Sequence, residues 1–267
     1  MLLGNPPLPR LTWWFLAGAL FCAQTFATGT ALFAQNPEGK SPKEMPLVNS
    51  VYSGWKNRGA SIEAAIRAGK FKNADSAAGS LLRDMTRKIT GGPDAGRLLA
   101  MPLSLRALAR VGLQRDSDAL WDFQMAHALW PALERVRLSD YGPTGVRLAQ
   151  IAEAAPLLPD DWTIAPGTEP TQPDEKITPP QAISKRDIDF PESLSRVMKS
   201  GQAVISLFID REGRLNSPRI NSGSAQNAVF LYSAMEGVRD WRFRPAMRSG
   251  EPVAVTYTLT VNYRLRG

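Results

Sequence analysis

Residues 253–265 read Val-Ala-Val-Thr-Tyr-Thr-Leu-Thr-Val-Asn-Tyr-Arg-Leu, and apolar side chains alternate there with small or polar ones without a break. A period of two over that length predicts one long β-strand with a buried face formed by Val253, Val255, Tyr257, Leu259, Val261, Tyr263 and Leu265. Little sequence follows to cover the far side of this strand, so its edge is expected to be open to a strand from a partner.

Upstream, Ala203, Ile205, Leu207 and Ile209 point one way while Gln202, Ser206 and Asp210 point the other. Asp210-Arg211-Glu212-Gly213 then supplies a short loop, which predicts a β-hairpin whose second arm runs over Arg214 to Ile220. The cluster Asn221-Ser222-Gly223-Ser224 offers helix N-cap side chains. After it, Leu231, Ala234, Met235 and Val238 form an apolar stripe at helical spacing, ending near Trp241. This unit reads β-β-α-β. A helix that returns the chain across the sheet leaves strand three paired with strand one, so the expected order is 2-1-3 with the C-terminal strand at an edge. A further helix is predicted over Glu192 to Lys199.

Several short signals occur in a fixed order here: Phe190-Pro191, Gly201 opening an alternating strand, Asp210-x-x-Gly213, Trp241-Arg242-Phe243-Arg244-Pro245, and Gly250-x-Pro252. In this order and spacing, the last 80 or so residues resemble the TonB C-terminal domain family. The resemblance implies a periplasmic domain of Gram-negative bacteria that docks on outer-membrane receptors or other envelope proteins. In that family an extended receptor segment adds to the third strand. Here that implies a partner-binding edge at Val253, Val255, Thr256, Tyr257, Thr258, Leu259, Thr260 and Val261. Gly213, Trp241, Phe243, Pro245 and Gly250 are then turn, core and corner residues that hold the edge in place.

The expected fold class is α+β: an all-α helical domain, then a TonB-like β-β-α-β domain with a three-stranded antiparallel sheet and packed helices. Residues 1–34 read as a signal peptide or membrane anchor, 35–58 as a linker, 59–158 as the helical domain, 159–182 as a second linker and 183–267 as the TonB-like domain. Between Pro156 and Pro180 lie seven prolines, with Asp160, Asp161, Glu169, Asp174 and Glu175 opposed only by Lys176. That composition favours an extended chain. In the helical part, Ala119, Phe123, Ala126 and Pro131, and again Gly69, Phe71 and Ala74, carry part of a tetratricopeptide spacing. Tetratricopeptide-like pairs and an irregular bundle both fit, and either offers a surface for a second protein.

Arg10 precedes an uncharged run from Leu11 to Ala34. It is either a cleaved export signal, with Gly29-Thr30-Ala31 near the cleavage site, or an uncleaved inner-membrane helix. Phe21 occupies the place before Cys22 where a lipoprotein signal needs a small residue. The run holds neither serine nor histidine, whereas the family's energy transducers contact a proton-driven motor through Ser-x-x-x-His. A periplasmic interaction module is therefore expected, with an anchored transducer for siderophore or nutrient transport as the alternative.

Catalysis is not expected. The chain has one histidine, His127, inside a predicted helix, and no nucleophile elbow, phosphate loop or zinc-ligand spacing. Asp116 and Asp118 sit at a helix start, where the helix dipole favours them. No cofactor and no metal are implied. The net charge of +7 is spread without a long basic run, so nucleic acid is not an expected partner.

Overall fold

The computed structural model of the protein describes residues 46–155, 163–164, 177–220 and 227–265. The N-terminal run from Leu11 to Ala34, the Asn221–Ser224 cluster and most of the proline-rich stretch lie outside the described residues. Among the described residues no helix is long and apolar enough to cross a membrane.

The first part is helical: α1 (Pro46–Arg67), α2 (Phe71–Lys88), α3 (Ala95–Gly112), α4 (Asp116–Leu129) and α5 (Gly142–Glu153), with two 3₁₀ turns between α4 and α5. Helix α2 shows one apolar stripe, Ala74, Ala78, Leu81, Leu82 and Met85, and all five are buried. Helix α3 is different, because every residue from Leu99 to Val111 is buried. An α-helix apolar on all sides must be surrounded, and α1, α2, α4 and α5 all pack against it. The helices thus pack around α3, each touching its neighbour in sequence or the next but one. Asp116 and Asp118 lie in the first turn of α4, as expected.

The second part contains β1 (Thr163–Ile164), β2 (Ile177–Thr178), β3 (Gln181–Ser184), α6 (Glu192–Ser195), β4 (Ser200–Ile209), β5 (Leu215–Ile220), α7 (Ala228–Val238), β6 (Arg242–Arg244), β7 (Ala246–Arg248), β8 (Glu251–Val253) and β9 (Val255–Arg264). The main sheet runs β1-β9-β4-β5. Its three long strands are antiparallel in the expected order, with Ala203, Ile205, Leu207 and Ile209 fully buried and α7 packed against β4. Four expectations need correction. Val253 belongs to β8, paired with Ala246, so the final strand begins at Val255. The helix at Glu192 spans a single turn. The cap of α7 is Asn227, whose side chain accepts from the Val229 N–H at 2.9 Å, not a residue of the 221–224 cluster. The sheet is four-stranded, because β1 pairs with β9. Strands β2 and β3 also fall within or against the stretch read as a linker, pairing with β7 and β6.

The two parts share one continuous core. At their junction the Asp122 carboxylate, with 0 % exposure, accepts from Arg106 Nε at 2.8 Å and Nη2 at 2.7 Å, Arg110 Nη1 at 2.6 Å and Arg239 Nη1 at 3.0 Å. Arg106 and Arg110 stand one turn apart on α3, Asp122 is on α4, and Arg239 follows α7. Glu236 on α7 adds a contact of 3.2 Å to Arg106, and Asp118 one of 2.8 Å to Arg239. With Asp75 on Arg110 at 3.0 Å and Arg115 on Asp118 at 2.7 Å, four carboxylates meet four guanidiniums. Burial works against the charge of Arg106, but Asp122 and Glu236 outweigh it and raise its pKa. Burial wins at Arg110, whose pKa is lowered with help from the like charges of Arg106 and Arg239. A second polar clamp joins α4 to β5. Gln124 Nε2 donates to Ser217 Oγ at 2.9 Å, and its Oε1 accepts from the Ser217 N–H at 3.0 Å.

Asp122→Ala leaves three guanidiniums without their shared partner and is expected to cost about 3–5 kcal/mol in urea unfolding. Burial pushes the Asp118 carboxyl up, but Arg239 and Arg115 outweigh it and hold it low; the bond from Lys88 does the same for Asp84. Their contribution is complete above about pH 4, the ordinary carboxylate range, and is lost as pH falls through the lowered values. The urea midpoint is therefore expected to drop on acidification, and to drop less in Asp118→Asn.

Candidate functional site: the outer edge of the last strand

Strand β9 is held from the inside by aromatic packing. Tyr263 stacks on Phe230 of α7 with centroids 4.6 Å apart, and its hydroxyl donates to the Phe230 carbonyl at 3.1 Å. Phe190 meets both rings edge-on at 5.5 and 6.2 Å. At the other end Tyr257 packs on Phe243 at 5.7 Å. Burial pushes the hydroxyls of Tyr257 and Tyr263 above the ordinary tyrosine range, so both stay neutral. Val255 is fully buried, and Leu259 and Val261 are half-buried against the core.

The parity of the strand decides what its edge presents. The Leu265 N–H donates to the Lys199 carbonyl at 2.9 Å, and the register then runs unbroken from Ser200↔Arg264 to Ile209↔Val255. Bonded and unbonded pairs alternate along an antiparallel ladder. Odd-numbered residues of β9 therefore aim their backbone groups at β4. Thr256, Thr258, Thr260, Asn262 and Arg264 aim theirs outward. Their side chains share the face opposite that of Tyr257 and Tyr263; Thr256 is buried there, Thr258 Oγ1 lies 3.4 Å from Ser206 Oγ, and Asn262 Oδ1 accepts from Gln202 Nε2 at 3.1 Å.

Of the expected edge residues, Val253 is in β8, and Val255, Tyr257, Leu259 and Val261 contribute packing instead of outward groups. Thr256, Thr258 and Thr260 carry the outward groups, and Asn262 and Arg264 join them. The edge is also not wholly open, because β1 lies on it in parallel, with Thr163 opposite Thr256 and Ile164 opposite Tyr257. Beyond Tyr257, no strand among the described residues pairs with this side of β9.

The motif residues surround this strand. Gly213 has φ +75°, and a Cβ there would collide with the Phe243 carbonyl oxygen, while the Phe243 N–H donates to the Gly213 carbonyl at 3.0 Å. Phe243 is buried, Pro245 is half-buried, and Trp241 is half-buried with Nε1 donating to the Arg186 carbonyl at 3.1 Å. Gly250 and Ser249 both have positive φ, 88° and 51°, as the two-residue turn between β7 and β8 requires.

These elements lie within one family match. Residues 186–265 match the family model of the Gram-negative bacterial TonB protein C-terminal. The matched TonB-like segment runs from Arg186, whose carbonyl holds Trp241, to Leu265, the residue just past β9 whose N–H bonds the Lys199 carbonyl. No curated protein matches the chain. The family is one of protein interaction and energy transduction, not of catalysis.

His127 is exposed on α4, beside a cleft of about 480 Å³ between α4, α5 and the outer side of β5. Ser217 lines the same cleft, and its hydroxyl accepts from Gln124 Nε2. The residues that set the edge's position, Asp122, Arg106, Arg110, Arg239 and Gln124, were not singled out by sequence reasoning. The available signal, for Arg106 and Arg110 alone, was a pair of arginines at i and i+4 inside a mostly apolar helix.

Gly250→Ala is expected to cost about 1 kcal/mol for the left-handed backbone alone. Gly213→Ala adds a collision with fixed backbone, typically about 1–3 kcal/mol more. Urea unfolding of the two variants side by side checks that order.

Proposed function

We propose that this protein binds an extended segment of an outer-membrane or other envelope protein by adding it as a strand to the outer edge of β9. The observation that supports this reading best is the placement of β1. The edge already carries a short parallel strand at Thr256 and Tyr257, and its outward groups continue through Thr258, Thr260 and Asn262. Backbone bonds would supply most of the affinity, and alternate side chains the selectivity. The matched family supports a place in the periplasm of a Gram-negative cell. The bundle docked on α7 and β5 would hold the edge at a fixed angle and leave its outer helices for a second protein. The anchored-transducer alternative depends on residues 1–34, which lie outside the described residues.

The test is calorimetry with peptides from the periplasmic N-terminal segments of outer-membrane receptors. Thr260→Pro removes an outward N–H without touching the β4 ladder, and should weaken binding about tenfold, the equivalent of one or two lost bonds. Leu259→Pro would unfold the strand instead and serves as the contrast. Unchanged affinity in a folded Thr260→Pro protein would exclude strand addition there.

A further inference from the structure

We propose that the chain regulates its own edge: the segment at Thr163–Ile164 occupies the entry end of the strand-accepting surface, and a partner strand has to displace it. This rests on the strand-addition reading above and concerns the control of that same site.

Three observations carry it. The first is register. Ile164 lies opposite Tyr257, so the outward carbonyl of Thr256 and the outward N–H of Thr258 are the groups that face it. A partner strand entering at this end of β9 would need the same two groups. Both occupants cannot use them at once.

The second is length. Along a parallel strand, backbone groups that face the neighbour recur at every second residue. After Ile164 the next such position is Pro166, which has no N–H to offer. Pro166 can therefore donate no bond to the rest of the edge, Thr258 to Arg264. A segment free of proline could pair along the whole edge and would win by its extra bonds.

The third is tethering. Thr163 lies eight residues after Ala155, the last described residue of the bundle, and Ile164 lies thirteen before Ile177 in β2. Tethers of that size hold a segment at an effective concentration on the order of millimolar. A two-residue strand too weak to bind from free solution is thus retained when joined at both ends. The result is an edge that is covered by default and opened by competition.

Two substitutions push the balance in opposite directions without touching β9. Ile164→Pro removes the N–H that faces Thr256, and Pro166→Thr supplies the donor that the self-strand lacks. The probe is a fluorescein-labelled synthetic peptide of residues 158–169 carrying threonine at position 166, titrated into the full chain and read by anisotropy. With most of the population covered, Ile164→Pro should bind the probe about tenfold tighter than the wild type, and Pro166→Thr should bind it more weakly. Amide exchange gives a readout without the probe: Thr258 should exchange more slowly than Thr260 in the wild type and at the same rate in Ile164→Pro. Equal probe affinity in all three proteins would overturn self-occupancy and leave strand addition standing. Absence of binding to every protein, Ile164→Pro included, would overturn both.

Discussion

The Asp122 carboxylate has no solvent exposure and accepts hydrogen bonds from three arginines, two on α3 and one just after α7. None of these charges could be buried alone, since each would carry a desolvation penalty that only its partners offset. The network is satisfied only when the bundle and the β-sheet unit meet in one orientation. A purely apolar interface could slide by a residue and lose little; a bidentate arginine fork cannot. The position of the sheet relative to the bundle is therefore set by charge geometry, while hydrophobic burial supplies the adhesion.

From that fixed junction the rest follows outward. Helix α7 is held by Glu236 and Arg239 at its C-terminal end and lays Phe230 and Met235 into the core beneath the sheet. Phe230 stacks on Tyr263, which fixes the far end of β9, and Phe243 packs on Tyr257 near its start. With both ends anchored from the inside, the strand keeps its outward backbone groups straight and evenly spaced. Threonines at 256, 258 and 260 suit this arrangement, because a β-branched side chain favours extended backbone; the hydroxyls of Thr258 and Thr260 also keep the outer face from being apolar, while Thr256 is buried.

Much of the C-terminal unit could be read from residue order, because its signals are local. The alternation in β4 and β9, the Asp210–Gly213 loop and the stripe of α7 each lie within one short window. What escaped reading was long-range. Asp122 and Arg239 are far apart in sequence, and each resembles an ordinary solvated charge until the fold brings them together. Val253 satisfies the alternation yet belongs to β8, because the chain breaks at Ala254 between two ladders, which a period of two does not reveal. Strand β1 was hidden by its setting, since two residues among prolines and acids carry no strand signal of their own. The bundle was predicted as helical, but the full burial of α3 and the site geometry of α4 depend on which helices surround them.

The clamp between Gln124 and Ser217 acts on the opposite side of the sheet from β9. There the amide side chain takes the N–H of the outermost strand, and α4 lies along it. A sheet with two free borders is a monomer unit for a fibre: each copy can receive on one side and donate on the other, and growth has no natural stop. Sealing one border turns an open-ended polymerisation into a terminating reaction. In the main sheet, the border at β5 lies under α4, so the proposed strand addition has only the β9 border to use, and a partner strand taken up there would find the other border of that sheet already covered.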